Sequence, residues 1–165
     1  MGVREAGSAA ARVPNPSPRG GPRLRECAVE IEVPFHDVDA MRVVWHGHYF
    51  KYLEQARTAL LRSCALDVSD LVSLRLAFVV IDSGCRYIAP LRYGDRMRVS
   101  AWFRDISHRL YVGYEIQNLR SGDRAARAHT VLATISFEGK VFYRTPDAIL
   151  ERVDPQRKFA RQGEA

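Results

Sequence analysis

The sequence predicts an α+β fold in which an antiparallel sheet wraps one long helix. Three observations predict it. Residues 48–66 repeat apolar side chains at helical spacing, whereas several other stretches alternate at period two. Turn signals such as Gly94-Asp95 and Ser121-Gly122-Asp123 separate those stretches. The order is one strand, one long helix and then a run of strands, which suits segregated rather than alternating elements.

The elements follow in chain order. Residues 1–24 are rich in Pro, Gly, Ser, Ala and Arg, cannot bury enough apolar surface to offset ordering, and read as a disordered tail. A single domain is expected over residues 25–153, with 154–165 a flexible C-terminal tail. In ECAVEIEVPF the residues Cys27, Val29, Ile31, Val33 and Phe35 alternate with polar or small neighbours, a strand with one buried face. Pro34 marks its end or an edge position. In HYFKYLEQARTALLRSCAL the apolar positions Tyr49, Leu53, Ala56, Leu60 and Cys64 follow one another at three- and four-residue steps. Tyr52, Ala59 and Leu61 widen that stripe, so a largely buried helix of about eighteen residues is expected.

The remainder reads as strands. AFVVIDSGCRYI is apolar and β-branched, and the turn PLRYGD follows it. RMRVSAWFRDI alternates Met97, Val99, Ala101 and Phe103, and RLYVGYEIQNL alternates Leu110, Val112, Tyr114 and Ile116. AARAHTVLATISFEG is a further strand and KVFYR a short last one. In TPDAILERV, Thr145 reads as the N-cap of a final helix with Pro146 at its first position.

Charge narrows the function. Of the net +6, residues 1–25 carry +4, from five Arg against one Glu. The body is therefore nearly neutral and lacks the basic face of a dedicated nucleic-acid-binding domain. No apolar run approaches the length of a membrane-spanning helix. The three cysteines have no CxxC spacing and read as buried thiols of a reducing compartment, so the protein is expected in the cytoplasm.

Chemistry concentrates in HDVDAMRVVWHGHYFKYLEQAR, residues 36–57. Asp39 lies in the bend that leads into the long helix. A helix start carries unpaired N–H groups and a partial positive charge. The N–H groups of His46 and Gly47 are the first candidates to receive a polarised carbonyl oxygen, and Gly47 lets a ligand come close to the backbone. A carboxylate and an N–H hole at opposite ends of one bend suit acyl transfer, with Asp39 attacking or activating water. Asp37 reads instead as a turn or capping residue. The three histidines and two aspartates invite a metal, but histidines two apart at a helix start diverge, and neither metal nor cofactor is expected. Glu54 inside the helix reads as pairing with Arg57 or Lys51 on the helix surface.

The run DVDAMRVVWHGHYFKYLEQAR, together with CRYIAPLRYGD, resembles the 4-hydroxybenzoyl-CoA thioesterase family of hot-dog folds, which includes the Tol–Pal-associated acyl-CoA thioesterases. The resemblance covers roughly residues 26–152. It implies a hot-dog fold and hydrolysis of an acyl or aroyl thioester to the free acid and CoA. It places the catalytic carboxylate on Asp39, or, as in some members that use a helix carboxylate, on Glu54, and the carbonyl-polarising N–H on His46; Gly47 and Tyr49 are expected beside the substrate. Relatives grip the CoA phosphates with a basic cluster. Here DISHRLYV offers His108 and Arg109, with Ser107 in the third place. Relatives carry Gly where this chain has Arg42 and often Asn where it has His48; if the first position needs a positive φ, Arg42 is strained. A homodimer or homotetramer is implied. Two rival readings are an acyl carrier protein thioesterase, with the carrier docked on Arg92, Arg96 and Arg98, and a non-catalytic acyl-CoA binding module.

Overall fold

The computed structural model describes residues 23–156 of the 165. Strand β1 (Leu24–Glu32) leads through the bend into α1 (Tyr49–Ser63). A short helix α2 (Val68–Ser73) precedes β2 (Leu76–Tyr87), β3 (Arg96–Asp105), β4 (Leu110–Asn118) and β5 (Arg124–Ser136), and α3 (Asp147–Val153) closes the described chain. The strands form one antiparallel sheet in the order β1-β3-β4-β5-β2. This is the expected α+β sheet wrapped on a helix.

The alternation sets the register. Val99 pairs with Val29 and Ile116, and Phe103 with Val112, so the apolar faces of β1, β3 and β4 coincide. On α1, Tyr49, Tyr52, Leu53, Ala56 and Leu60 are buried. They join Met97, Val99, Ala101, Phe103 and Leu110 in one core. Helix α1 packs on β1 and β3. At the other side of the sheet β2 is an edge strand, and Val79, Val80 and Ile81 on it are exposed.

Some local expectations change. The expected tails lie outside the described residues except for Arg23, Leu24 and residues 154–156, and Leu24 already pairs with Phe103. Phe35 does not continue the buried stripe; after Pro34 the chain turns, and Phe35 is 74% exposed with its ring edge-on to Tyr93. Helix α1 stops at Ser63. Ala65 takes φ 53°, and the N–H groups of Ala65 and Leu66 close back on the carbonyls of Arg62 and Leu61. Helix α2 has no periodic signal, but Asp67 and Asp70 cap it reciprocally. KVFYR is no strand and pairs only through the Val141–Ile135 bridge. Thr145 is not a cap: its N–H is held by the Ser107 carbonyl, and extended Pro146 stands before Asp147 as the cap position.

Candidate active site

The bend is a miniature hairpin. Val38 bridges Val44, Asp39 N–H donates to the Val43 carbonyl (2.9 Å), and Arg42 N–H donates to the Asp39 carbonyl (2.9 Å). Asp39 opens this turn and accepts the Met41 N–H on Oδ1 (2.8 Å). That fixes the carboxylate plane, while Oδ2 has no partner among the described residues. Asp39 is half-buried at the mouth of the bend.

Arg42 closes the turn with φ 63°, the left-handed conformation that the fourth position of such a turn requires. Its strain amounts to about 1 kcal/mol. Arg42→Gly is therefore expected to raise stability by roughly that amount, read as a higher urea midpoint at unchanged slope. A midpoint that falls would show that the Arg42 side chain contributes more than its backbone costs.

After the turn the chain doubles back. Val44 N–H donates to the Leu91 carbonyl (2.8 Å) and Trp45 N–H to the Asp37 carbonyl (3.0 Å). Residues His46–His48 form a single 3-10 turn that runs straight into α1. The His46 and Gly47 N–H groups have no acceptor among the described residues. Tyr87 on β2 donates its hydroxyl to the His46 carbonyl (2.8 Å), which ties the turn to the sheet. The Tyr49 ring stands edge-on to Tyr87 (4.9 Å) and is buried, and burial pushes its phenol up to about 12. The Trp45 ring lies across Gly47 so closely that a β-carbon there would sit 2.2 Å from it. Gly47 is needed for that close approach.

Asp37 differs from the expected turn residue. It is 1% exposed. It forms an ion pair with Lys51 and accepts the Tyr52 hydroxyl (2.6 Å), while His36 and His48 Nε2 lie 3.6 and 3.8 Å from its Oδ1. Burial pushes its carboxyl up, but the hydrogen bonds from Lys51 and Tyr52, with the charges of Lys51 and His48, outweigh that and hold it below the usual carboxylate value. The bend thus holds two different carboxylates. Asp37 is enclosed and ionised, and Asp39 is half-open with one oxygen uncommitted.

The remaining expected residues sit elsewhere. Glu54 is exposed on α1, in an open groove of about 410 Å³ with Lys51, Gln55, Thr58, Arg62 and Val29. It makes no ion pair among the described residues, because Lys51 turns to Asp37. His108 and Arg109 lie in the β3–β4 connection. Arg109 Nη1 donates to the carbonyls of His108 (2.8 Å), Phe142 (2.8 Å) and Tyr143 (3.2 Å), and His108 Nδ1 is 3.3 Å from Ser107 Oγ. The first residue of β3 follows Asp95, which bonds Val33 beside the bend. The loop at the other end of β3 is therefore roughly 30 Å away along the strand. One protomer does not bring His108 and Arg109 to Asp39. Arg96 and Arg98 both hold Glu30 (3.1 and 2.9 Å), and Arg92 is exposed. Sequence reasoning missed Tyr87 and the Lys51–Tyr52 clamp, which form only once the bend has folded back.

Comparison with known proteins identifies the family. The pattern of the thioesterase-like superfamily matches residues 33–153. A Synechocystis protein provisionally named an esterase, sll0410, is 31% identical over 127 residues, covering 76% of each chain. The acyl-CoA thioester hydrolase YbgC of Escherichia coli is 36% identical over 69 residues, 42% of this chain and 52% of its own. A 1,4-dihydroxy-2-naphthoyl-CoA (DHNA-CoA) thioesterase structure from Staphylococcus aureus superposes with a TM-score of 0.67 at 25% identity, covering 84% of this chain and 90% of that one.

Proposed function

The chain belongs to the thioesterase-like superfamily and is a thioester hydrolase of hot-dog fold, and from that premise we propose that it cleaves acyl-CoA with Asp39 as the catalytic carboxylate. The observation that carries the reading is the bend itself. It presents a half-buried carboxylate with an uncommitted oxygen and, among the described residues, two unpaired N–H groups, at His46 and Gly47, on one hydrogen-bonded loop.

The thioester carbonyl oxygen is received by those N–H groups at the start of α1. Asp39 either attacks the carbonyl carbon or takes a proton from a water that attacks it. As the tetrahedral intermediate collapses, the C–S bond breaks and CoA leaves as the thiolate. If Asp39 is the nucleophile, water then hydrolyses the anhydride and restores the carboxylate. The N–H groups are fixed before charge develops, so they stabilise the oxyanion without reorganising. Tyr49 and Tyr87 wall the site beside the reacting carbonyl.

A second copy completes it. The exposed apolar residues of edge strand β2 are a liability in a monomer and suit pairing with another β2. A role for His108 and Arg109 in holding CoA requires such a second copy, because in one protomer they lie at the far end of β3 from Asp39. Light scattering is expected to give a multiple of 18.7 kDa; a stable monomer contradicts this. The three free cysteines suit a reducing compartment such as the cytoplasm.

Free-thiol release from aryl-, short-, medium- and long-chain acyl-CoAs tests the activity. Turnover of at least one ester is expected, and the preferred ester defines the acyl pocket. Turnover only of carrier-linked acyl groups would favour the carrier reading, for which Arg92 is the basic residue not engaged with Glu30.

A further inference from the structure

Asp37 takes no part in the chemistry above, yet its carboxylate is the enclosed ionic centre of the bend. We propose that Asp37 is a positioning residue for thioester hydrolysis, its buried carboxylate holding the start of α1 in register with the Asp39 turn. The proposal rests on the hydrolase reading.

One residue here joins three pieces of chain. Its carbonyl accepts the Trp45 N–H, just before the His46–Gly47 turn. The next residue, Val38, bridges Val44 and begins the hairpin that carries Asp39. Its side chain holds Lys51 and Tyr52, the third and fourth residues of α1. The carboxylate and the N–H groups thus share one anchor, so movement of Asp37 would separate them. Lys51 has a second effect. A bare carboxylate so near the helix start would oppose the developing oxyanion, and the ammonium group cancels it. His36 from the preceding turn and His48 from the helix entry also face Asp37, more loosely than Lys51.

The test compares wild type, Asp39→Asn, Asp37→Asn and Lys51→Met on an acyl-CoA that wild type hydrolyses. The readouts are kcat, KM, melting temperature and the pH profile from acid to neutral. Asp37→Asn is expected to lose about tenfold in kcat per folded enzyme with KM changed by less than about twofold. In wild type Asp37 is held below the usual carboxylate value, so it adds no ionisation above that range. In Lys51→Met, burial drives the carboxyl upward against the remaining Tyr52 hydrogen bond and the His48 charge, so kcat gains an ionisation and falls as pH drops through it. A purely structural carboxylate would lower the melting temperature and leave that profile unchanged. A kcat for Asp37→Asn within about twofold of wild type overturns the proposal. So does a Lys51→Met profile identical to wild type, which decides the matter alone if Asp37→Asn does not fold. Full activity in Asp39→Asn, or none in wild type, would instead overturn the hydrolase reading and this inference with it.

Discussion

Asp39→Asn is expected to lower kcat/KM for acyl-CoA hydrolysis by about a hundredfold or more, equivalent to about 2.7 kcal/mol of transition-state stabilisation. The substitution isolates the chemistry. Asparagine keeps the shape of aspartate, and its carbonyl oxygen can still accept the Met41 N–H that fixes the turn. The hairpin from Val38 to Val44 is therefore expected to persist, with a melting temperature within a few degrees of wild type. What disappears is the carboxylate oxygen that can attack a carbonyl or take a proton from water. Residual turnover is expected because the His46 and Gly47 N–H groups still polarise the bound thioester. Steady-state kinetics beside a thermal melt separates lost chemistry from lost folding.

Gly47→Ala is expected to cost about tenfold or more in kcat. Removing one donor from a preorganised oxyanion site typically costs 10²–10³, and displacing one costs part of that. Here the displacement has a named cause. The added β-carbon would stand 2.2, 2.5 and 2.8 Å from three atoms of the Trp45 ring, closer than real contacts allow. Either the ring swings out, which its 46% exposure permits, or the Gly47 backbone moves and takes its N–H along. A double variant distinguishes them. With Trp45→Ala added, the collision is gone, and activity is expected to recover most of the loss relative to Trp45→Ala alone. If Gly47→Ala keeps wild-type kcat, the ring has yielded and the N–H of Gly47 is no sensitive part of the site.

The parts of this protein that were legible in its sequence are those in which neighbours along the chain carry the signal. The α1 stripe from Tyr49 to Leu60 is buried as its spacing predicts, because helical periodicity depends only on local geometry. The alternation of β3 and β4 is legible for the same reason, and both strands are inner strands of the sheet. The positive φ of Arg42 meets the condition that the family resemblance attached to that position. Phe35 and Thr145 show the limit. Each has the right residue type in the right pattern, and each is overridden by a neighbouring proline and by where the chain goes next. Asp37 is the most instructive case. Its partners Lys51 and Tyr52 lie 14 and 15 residues away and meet it only because the hairpin reverses the chain. His108 and Arg109 lie far from Asp39 for a topological reason: β3 carries the chain from one end of the sheet to the other.

The central claim is that Asp39, rather than Glu54 on the exposed side of α1, is the carboxylate that does the chemistry. Parallel measurement of kcat/KM for wild type, Asp39→Asn and Glu54→Gln on the best acyl-CoA substrate tests it most directly. The expected result is a loss of about a hundredfold for Asp39→Asn and less than about threefold for Glu54→Gln. An Asp39→Asn enzyme as active as wild type, or a large loss confined to Glu54→Gln, would contradict it and move the active site from the bend to the groove along α1.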